Sequence, residues 1–158
     1  MTGGAERLRR LLPGLWLGLL LTVALVATPT AFALLAKVDA GRFVARVLAT
    51  EAYASLAFGA VLLAIERLGA KRAADADSGS QFNAGMGFAA AALFCTVAGY
   101  FGVLPLMEQA RAGQGPLGFG ALHGISAALF VVKVAAVAAL AWRAASPGTA
   151  PFRRTASS

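Results

Sequence analysis

Residues 11–36, 52–65, 78–107 and 112–132 contain no Asp, Glu, Lys or Arg. A strand or core helix of a water-soluble domain needs no such length, whereas about 20 apolar residues in helical form cross a hydrocarbon layer about 30 Å thick. Extending each run to the nearest polar cluster predicts four helices, over 11–36, 43–65, 82–107 and 117–142. They form one transmembrane domain over 11–142, with tails at 1–10 and 143–158. The polar stretch from Glu66 to Gln81, with Asp75, Asp77, Ser78, Gly79 and Ser80, reads as a solvated loop, and Gly113 to Gly118 as a tight outer turn.

Composition agrees with this pattern. The chain is 59% hydrophobic and only 13% charged, about half the charged fraction usual in soluble domains, and its mean hydropathy is +0.73. The net charge of +7 comes from basic residues flanking the apolar runs rather than from one basic patch interleaved with aromatics. It therefore speaks for membrane topology and against nucleic acid.

Counted by side, Arg7, Arg9, Arg10, Arg67, Lys71, Arg72, Arg143, Arg153 and Arg154 oppose Lys37, Arg42, Arg46 and Arg111, nine against four. The excess predicts both termini in the cytoplasm. Trp16 and Trp142, each near a cytoplasmic helix end, read as interface anchors, and Arg46 as a side chain reaching to the outer headgroups. The fold class expected is an all-α integral membrane protein, a four-transmembrane-helix bundle in the bacterial inner membrane. The Arg-rich start and Ala31-Phe32-Ala33 imitate a cleavable signal, but Leu34-Leu35-Ala36 keep the segment apolar past the imitated cut, and retention is expected.

Ionisable residues inside a span cost about 2.5 to 3.5 kcal/mol each at the helix centre, so Glu51 and Lys133 need an explanation. Counted from the predicted outer ends, Glu51 lies about eight residues into helix 2 and Lys133 about sixteen into helix 4, an offset of roughly 12 Å. An ion pair between them then requires a helix shift or a bridging water. The candidate polar seam comprises Glu51 and Ser55 on helix 2 with His123, Ser126 and Lys133 on helix 4; hydrogen bonding that glues the bundle is the alternative to a substrate path. Gly14 and Gly18 on helix 1, Gly99 on helix 3, and Gly120 and Gly124 on helix 4 read as close-packing positions. Pro29 and Pro105 read as kinks near the outer helix ends that free carbonyl groups.

Several motifs carry a family resemblance. Leu15-Trp16-Leu17-Gly18, Ala27-Thr28-Pro29-Thr30-Ala31-Phe32, Thr50-Glu51-Ala52-Tyr53, Tyr100-Phe101-Gly102-Val103-Leu104-Pro105-Leu106-Met107 and Leu122-His123-Gly124-Ile125-Ser126 follow one another as in bacterial members of the transmembrane protein 205-like family. The resemblance spans most of residues 15 to 142 and implies a small four-span membrane protein whose bacterial members carry a domain of unknown function. Its eukaryotic namesake is associated with resistance to platinum drugs. Family members often have an Asn after the His-Gly-x-Ser motif, where this chain reads Ala127-Ala128-Leu129-Phe130 and then Lys133.

Catalysis, cofactors and metals are not expected. There is one histidine and one cysteine, so Cys95 has no disulfide partner within the chain, and no nucleophile, base and orienting group are in view. The glycine spacing of Gly113, Gly115 and Gly118 imitates a dinucleotide loop but follows no strand. Two functions remain: a structural or accessory subunit that docks another copy or another membrane protein, and a transporter or permeability factor for a small solute or ion. Beyond these, the lipid bilayer itself is the expected partner.

Overall fold

The computed structural model describes residues 3–75 and 82–146. Six α-helices follow in order: α1 (Gly3–Thr22), α2 (Thr28–Leu34), α3 (Lys37–Asp75), α4 (Ala84–Thr96), α5 (Leu104–Arg111) and α6 (Phe119–Ala145). Turns of π-helix at Val23–Ala27 and Val97–Val103 join α1 to α2 and α4 to α5. The result is four spans long and apolar enough to cross a membrane: Gly3–Leu34, Lys37–Arg72, Ala84–Arg111 and Phe119–Ala145. Large apolar side chains such as Leu15, Leu25, Phe94 and Val131 face outward on these spans, a surface that a soluble monomer rarely carries.

The helices run past their predicted ends because local charge pairs sustain them where hydropathy fades. Glu6 pairs with Arg10 at 2.9 Å and with Arg9 at 3.8 Å, each one turn on, so the basic N-terminal stretch is already helical. Asp39 in the first turn of α3 and Arg72 in its last complement the helix dipole. At about 1.5 Å per residue, the 39 residues of α3 reach about 58 Å, well beyond the hydrocarbon layer. The loop expected from Glu66 is therefore helical through Asp75; Asp77, Ser78, Gly79 and Ser80 lie outside the described residues. Asn83 caps α4 by accepting from the Met86 N–H at 2.9 Å, a start signal that hydropathy alone passes over. Between α5 and α6 the chain turns through Gly113 and Gly115, both at positive φ (72° and 97°). Glycine is needed there for the turn, with no phosphate cradle implied.

Each π-helical turn ends just before a proline. The Thr28 N–H donates to Val23 O and the Leu104 N–H to Gly99 O, both five residues back. Pro29 and Pro105 follow immediately, and a proline ring inside an α-helix collides with the carbonyl four residues earlier. The widened turn accommodates the ring without breaking the span. Spans 1 and 3 share this device.

Span 1 packs on spans 2 and 4, and span 3 packs on the same two, so spans 2 and 4 face each other across the diagonal. We call the end carrying Gly3 and Ala145 proximal and the end carrying Leu34, Lys37, Arg111 and Phe119 distal. Trp16, Leu20, Leu62, Ala92, Val137 and Leu140 form the proximal core. Gly59 leaves room for it: a Cβ there would stand 2.6 Å from the Leu93 side chain and 3.2 Å from the Trp16 ring. At the proximal rim Arg9 Nε donates to Glu66 Oε1 at 2.7 Å, and a Cβ at Gly85 would meet the Glu66 carboxyl at 2.7 Å. This ties the start of span 1 to the end of span 2 and the first turn of α4.

The glycine faces of the sequence reading are turned the other way. Gly14, Gly18, Gly120 and Gly124 are exposed, with open space where each Cβ would be. The reason is geometric: Trp16 and Leu122 point inward, and a residue two positions away on a helix lies about 200° round. Gly99 does approach span 4, its Cβ position 4.0 Å from Leu129.

Candidate functional site

Trp16, Ser55, Glu51 and Lys133, buried at the centre of the bundle, are joined in one hydrogen-bonded chain, whereas the buried Thr96 hydroxyl donates to Ala92 O on its own helix. Trp16 Nε1 donates to Ser55 Oγ at 2.7 Å. Ser55 Oγ in turn donates to Glu51 Oε1, one helical turn away on α3. From the opposite corner, Lys133 Nζ donates to Glu51 Oε1 at 2.9 Å and to Oε2 at 3.0 Å. Glu51 and Lys133 are 3% and 4% exposed, and no buried side-chain polar atom among the described residues lacks a partner. The ammonium also lies 5.0 Å from the centre of the Phe130 ring, favourable for a cation over an aromatic face.

The 12 Å offset expected between the two charges is absent. Glu51 follows the first residue of α3 by fourteen positions, and Lys133 follows the first residue of α6 by fourteen. The helices run in the same direction, so the charges lie level and meet directly. Most of the offset came from setting the start of helix 2 at Phe43, inside the helix, and the rest from setting that of helix 4 at Leu117, just before α6 begins. What the level alignment achieves is a strut across the diagonal, between two helices whose backbones do not pack together.

A cleft opens distally from this strut. About 70 Å³ of it admits the centre of a water molecule, room for a few waters and far below the 300 to 1,000 Å³, roughly, of an organic ligand pocket. Spans 2, 3 and 4 form its walls, with Leu48 on α3, Cys95, Thr96 and Tyr100 on span 3, and Ser126 and Leu129 on α6.

Among the sequence-derived candidates, Glu51, Ser55 and Lys133 are thus brought together, and Ser126 joins them on the cleft wall. His123 does not. It is exposed at the distal end, its ring stacked on that of Phe119 at 5.9 Å, and the Arg111 guanidinium lies 4.7 Å over the Phe119 ring. Ten residues separate His123 from Lys133, placing it about 80° round the helix and about 15 Å away, whereas Ser126 is within about 20° of Lys133. Trp16 is corrected too. It is wholly buried and serves as the first donor of the central chain, not as a headgroup anchor; its indole N–H needs an acceptor when buried, and Ser55 supplies one. Trp142 and Arg46 are exposed.

Fold and site together define a small all-helical protein with four spans long and apolar enough to cross a membrane and a polar network at their centre. The chain belongs to the family described as Domain of unknown function (DUF4149), whose match covers residues 11–116. That stretch includes Trp16, Glu51 and Ser55 and ends before α6, which supplies Lys133. No curated protein and no solved structure matches the chain.

Proposed function

We propose that the protein is a multi-pass subunit of the bacterial inner membrane, both termini cytoplasmic, with a structural or accessory role. The observation that carries this reading is the outward glycine faces, Gly14 with Gly18 on span 1 and Gly120 with Gly124 on span 4, open at every Cβ position. Small residues on a lipid-facing helix let a second helix approach closely. The central network suits the role, because every buried side-chain polar atom in it is already satisfied and it fixes the bundle without calling for a substrate. The orientation rests on the nine-to-four excess of basic residues. Kinship with the transmembrane protein 205-like family, and the absence of catalysis, are parts of the same proposal.

The test is native mass spectrometry of gently extracted protein, beside Gly14→Ile with Gly18→Ile and Gly120→Ile with Gly124→Ile. A complex, with itself or another membrane protein, that is lost in one pair of variants while thermal stability stays unchanged supports the reading. A monomer in every preparation overturns it. One observation favours a second reading, permeability: the cleft reaches the Glu51–Lys133 pair from the distal side. Its size confines any such path to water and small ions.

A further inference from the structure

We propose that the cleft is a one-sided aqueous vestibule, which brings water and small hydrated ions from the distal face as far as the Glu51–Lys133 pair and stops there. The proposal starts from the cleft of the permeability reading and goes beyond it: the pair is the closed floor of that cleft.

The packing of the spans is its first support. Proximally the four spans close into a ring, whereas distally α6 packs on α5 and the second π-helical turn but not on the first π-helical turn or α2. Span 1 contributes nothing to the cleft walls, so the distal half of the bundle is open along the flank between spans 1 and 4, while Val103, Met107 and Leu122 close spans 3 and 4 on each other at the distal end. Exposure follows the same axis: Glu51, Ala52, Cys95, Thr96 and Lys133 at the floor are buried, whereas Leu48, Tyr100, Leu104, Ser126 and Leu129 are half-buried and Ala45 is exposed.

The chemistry of the walls is the second. The pair, Ser126 and Thr96 place charge and hydroxyl groups where an acyl chain has nothing to offer them. Pro105, having no N–H, withholds the donor that the Tyr100 carbonyl would meet in the π register, and a membrane helix makes good such a loss with water or a neighbouring side chain. Below the pair lies the packed core of Trp16, Leu20 and Val137, each wholly buried, which makes the vestibule blind.

The test uses single cysteines in a Cys95→Ser background, in liposomes or right-side-out vesicles, with silver ion in chloride-free buffer, a charged thiol reagent small enough for a space that holds a few waters, read out as protection from later maleimide labelling in detergent. Ser126→Cys and Leu129→Cys report on the cleft, Ala127→Cys on the neighbouring lipid face, and Gln114→Cys and Ala145→Cys on the two ends of the bundle. A thiol reacts as thiolate, which forms in water and not in hydrocarbon. The cleft cysteines are therefore expected to react at least about tenfold faster than Ala127→Cys, and only from the side that labels Gln114→Cys. Equal rates at the cleft and lipid-facing positions would overturn the proposal, as would labelling of the cleft from the side of Ala145→Cys. If the cleft labels as expected while the liposomes show no ion or water flux, the vestibule stands and the permeability reading falls.

Discussion

Removing the Lys133 ammonium strips Glu51 of two of its three hydrogen bonds, the ones at 2.9 and 3.0 Å, and leaves only the Ser55 hydroxyl. A buried charge deprived of its partner costs on the order of 3 to 5 kcal/mol, so Lys133→Met should destabilise the bundle by about that much. Glu51→Gln retains a carbonyl that accepts from lysine and serine but loses the charge, and should cost less, about 1 to 3 kcal/mol. In the double variant neither charge is left stranded. The two losses should then fall short of additivity by about 1 to 3 kcal/mol, within the range for residues in direct contact. The upper part of that range exceeds what uncharged polar pairs in membranes reach, about 0.6 kcal/mol on average. Unfolding with sodium dodecyl sulfate from a mild detergent, followed by circular dichroism, supplies the three free energies. Losses that add to within about 0.5 kcal/mol would refute the strut, since that is the behaviour of independent sites.

Further outcomes follow from the same geometry. Trp16→Phe keeps most of the ring but removes the donor to Ser55; it should cost about 1 kcal/mol in the same unfolding assay. Gly59→Ala, whose Cβ would crowd Leu93 and the Trp16 ring, should cost about 1 to 3 kcal/mol, whereas Gly14→Ala, in open space, should change stability by less than about 0.5 kcal/mol. Because Trp16 and Leu20 lie in the core, cleavage after Ala33 would remove a whole wall of the bundle. N-terminal sequencing of the membrane-extracted protein should therefore read through residues upstream of Leu34, and a start at Leu34 would contradict the four-span account.

Much of the architecture was legible because hydropathy records where a helix is apolar along its whole length. The number of spans and their order came from the runs without charge, and Glu51 and Lys133 stood out because charge inside a span is costly. Helix ends were less legible: Glu6, Asp39, Asn83 and Arg72 extend helices through pairing, capping and dipole effects that a hydropathy run does not register. The misplaced start of α3 then propagated into the site as a false 12 Å offset between charges that are level. The glycine faces were found but assigned to the wrong side, since four-residue spacing defines a face without saying which way it points. The large neighbours Trp16 and Leu122, each between two glycines, held that information. Trp16 itself was misread because an indole suits both a headgroup layer and a buried acceptor, and only the approach of Ser55 from α3 decides between them. His123 sat at the edge of its helical arc, where small errors in facing decide whether a side chain enters a seam.

The account rests most heavily on contact between Lys133 and Glu51 across the bundle diagonal in a bilayer. Lys37, Lys71 and Lys133 are the chain's lysines, so Lys37→Arg with Lys71→Arg leaves Lys133 as the sole target of ¹⁵N-lysine labelling. Solid-state NMR of that protein in lipid, with ¹³C-labelled glutamate, measures the separation of Nζ from the glutamate carboxyl carbons by dipolar dephasing. Strong dephasing, corresponding to a separation of about 4 Å or less as a charge-assisted hydrogen bond requires, and lost in Glu51→Gln, is the predicted result. Absence of dephasing would contradict the account.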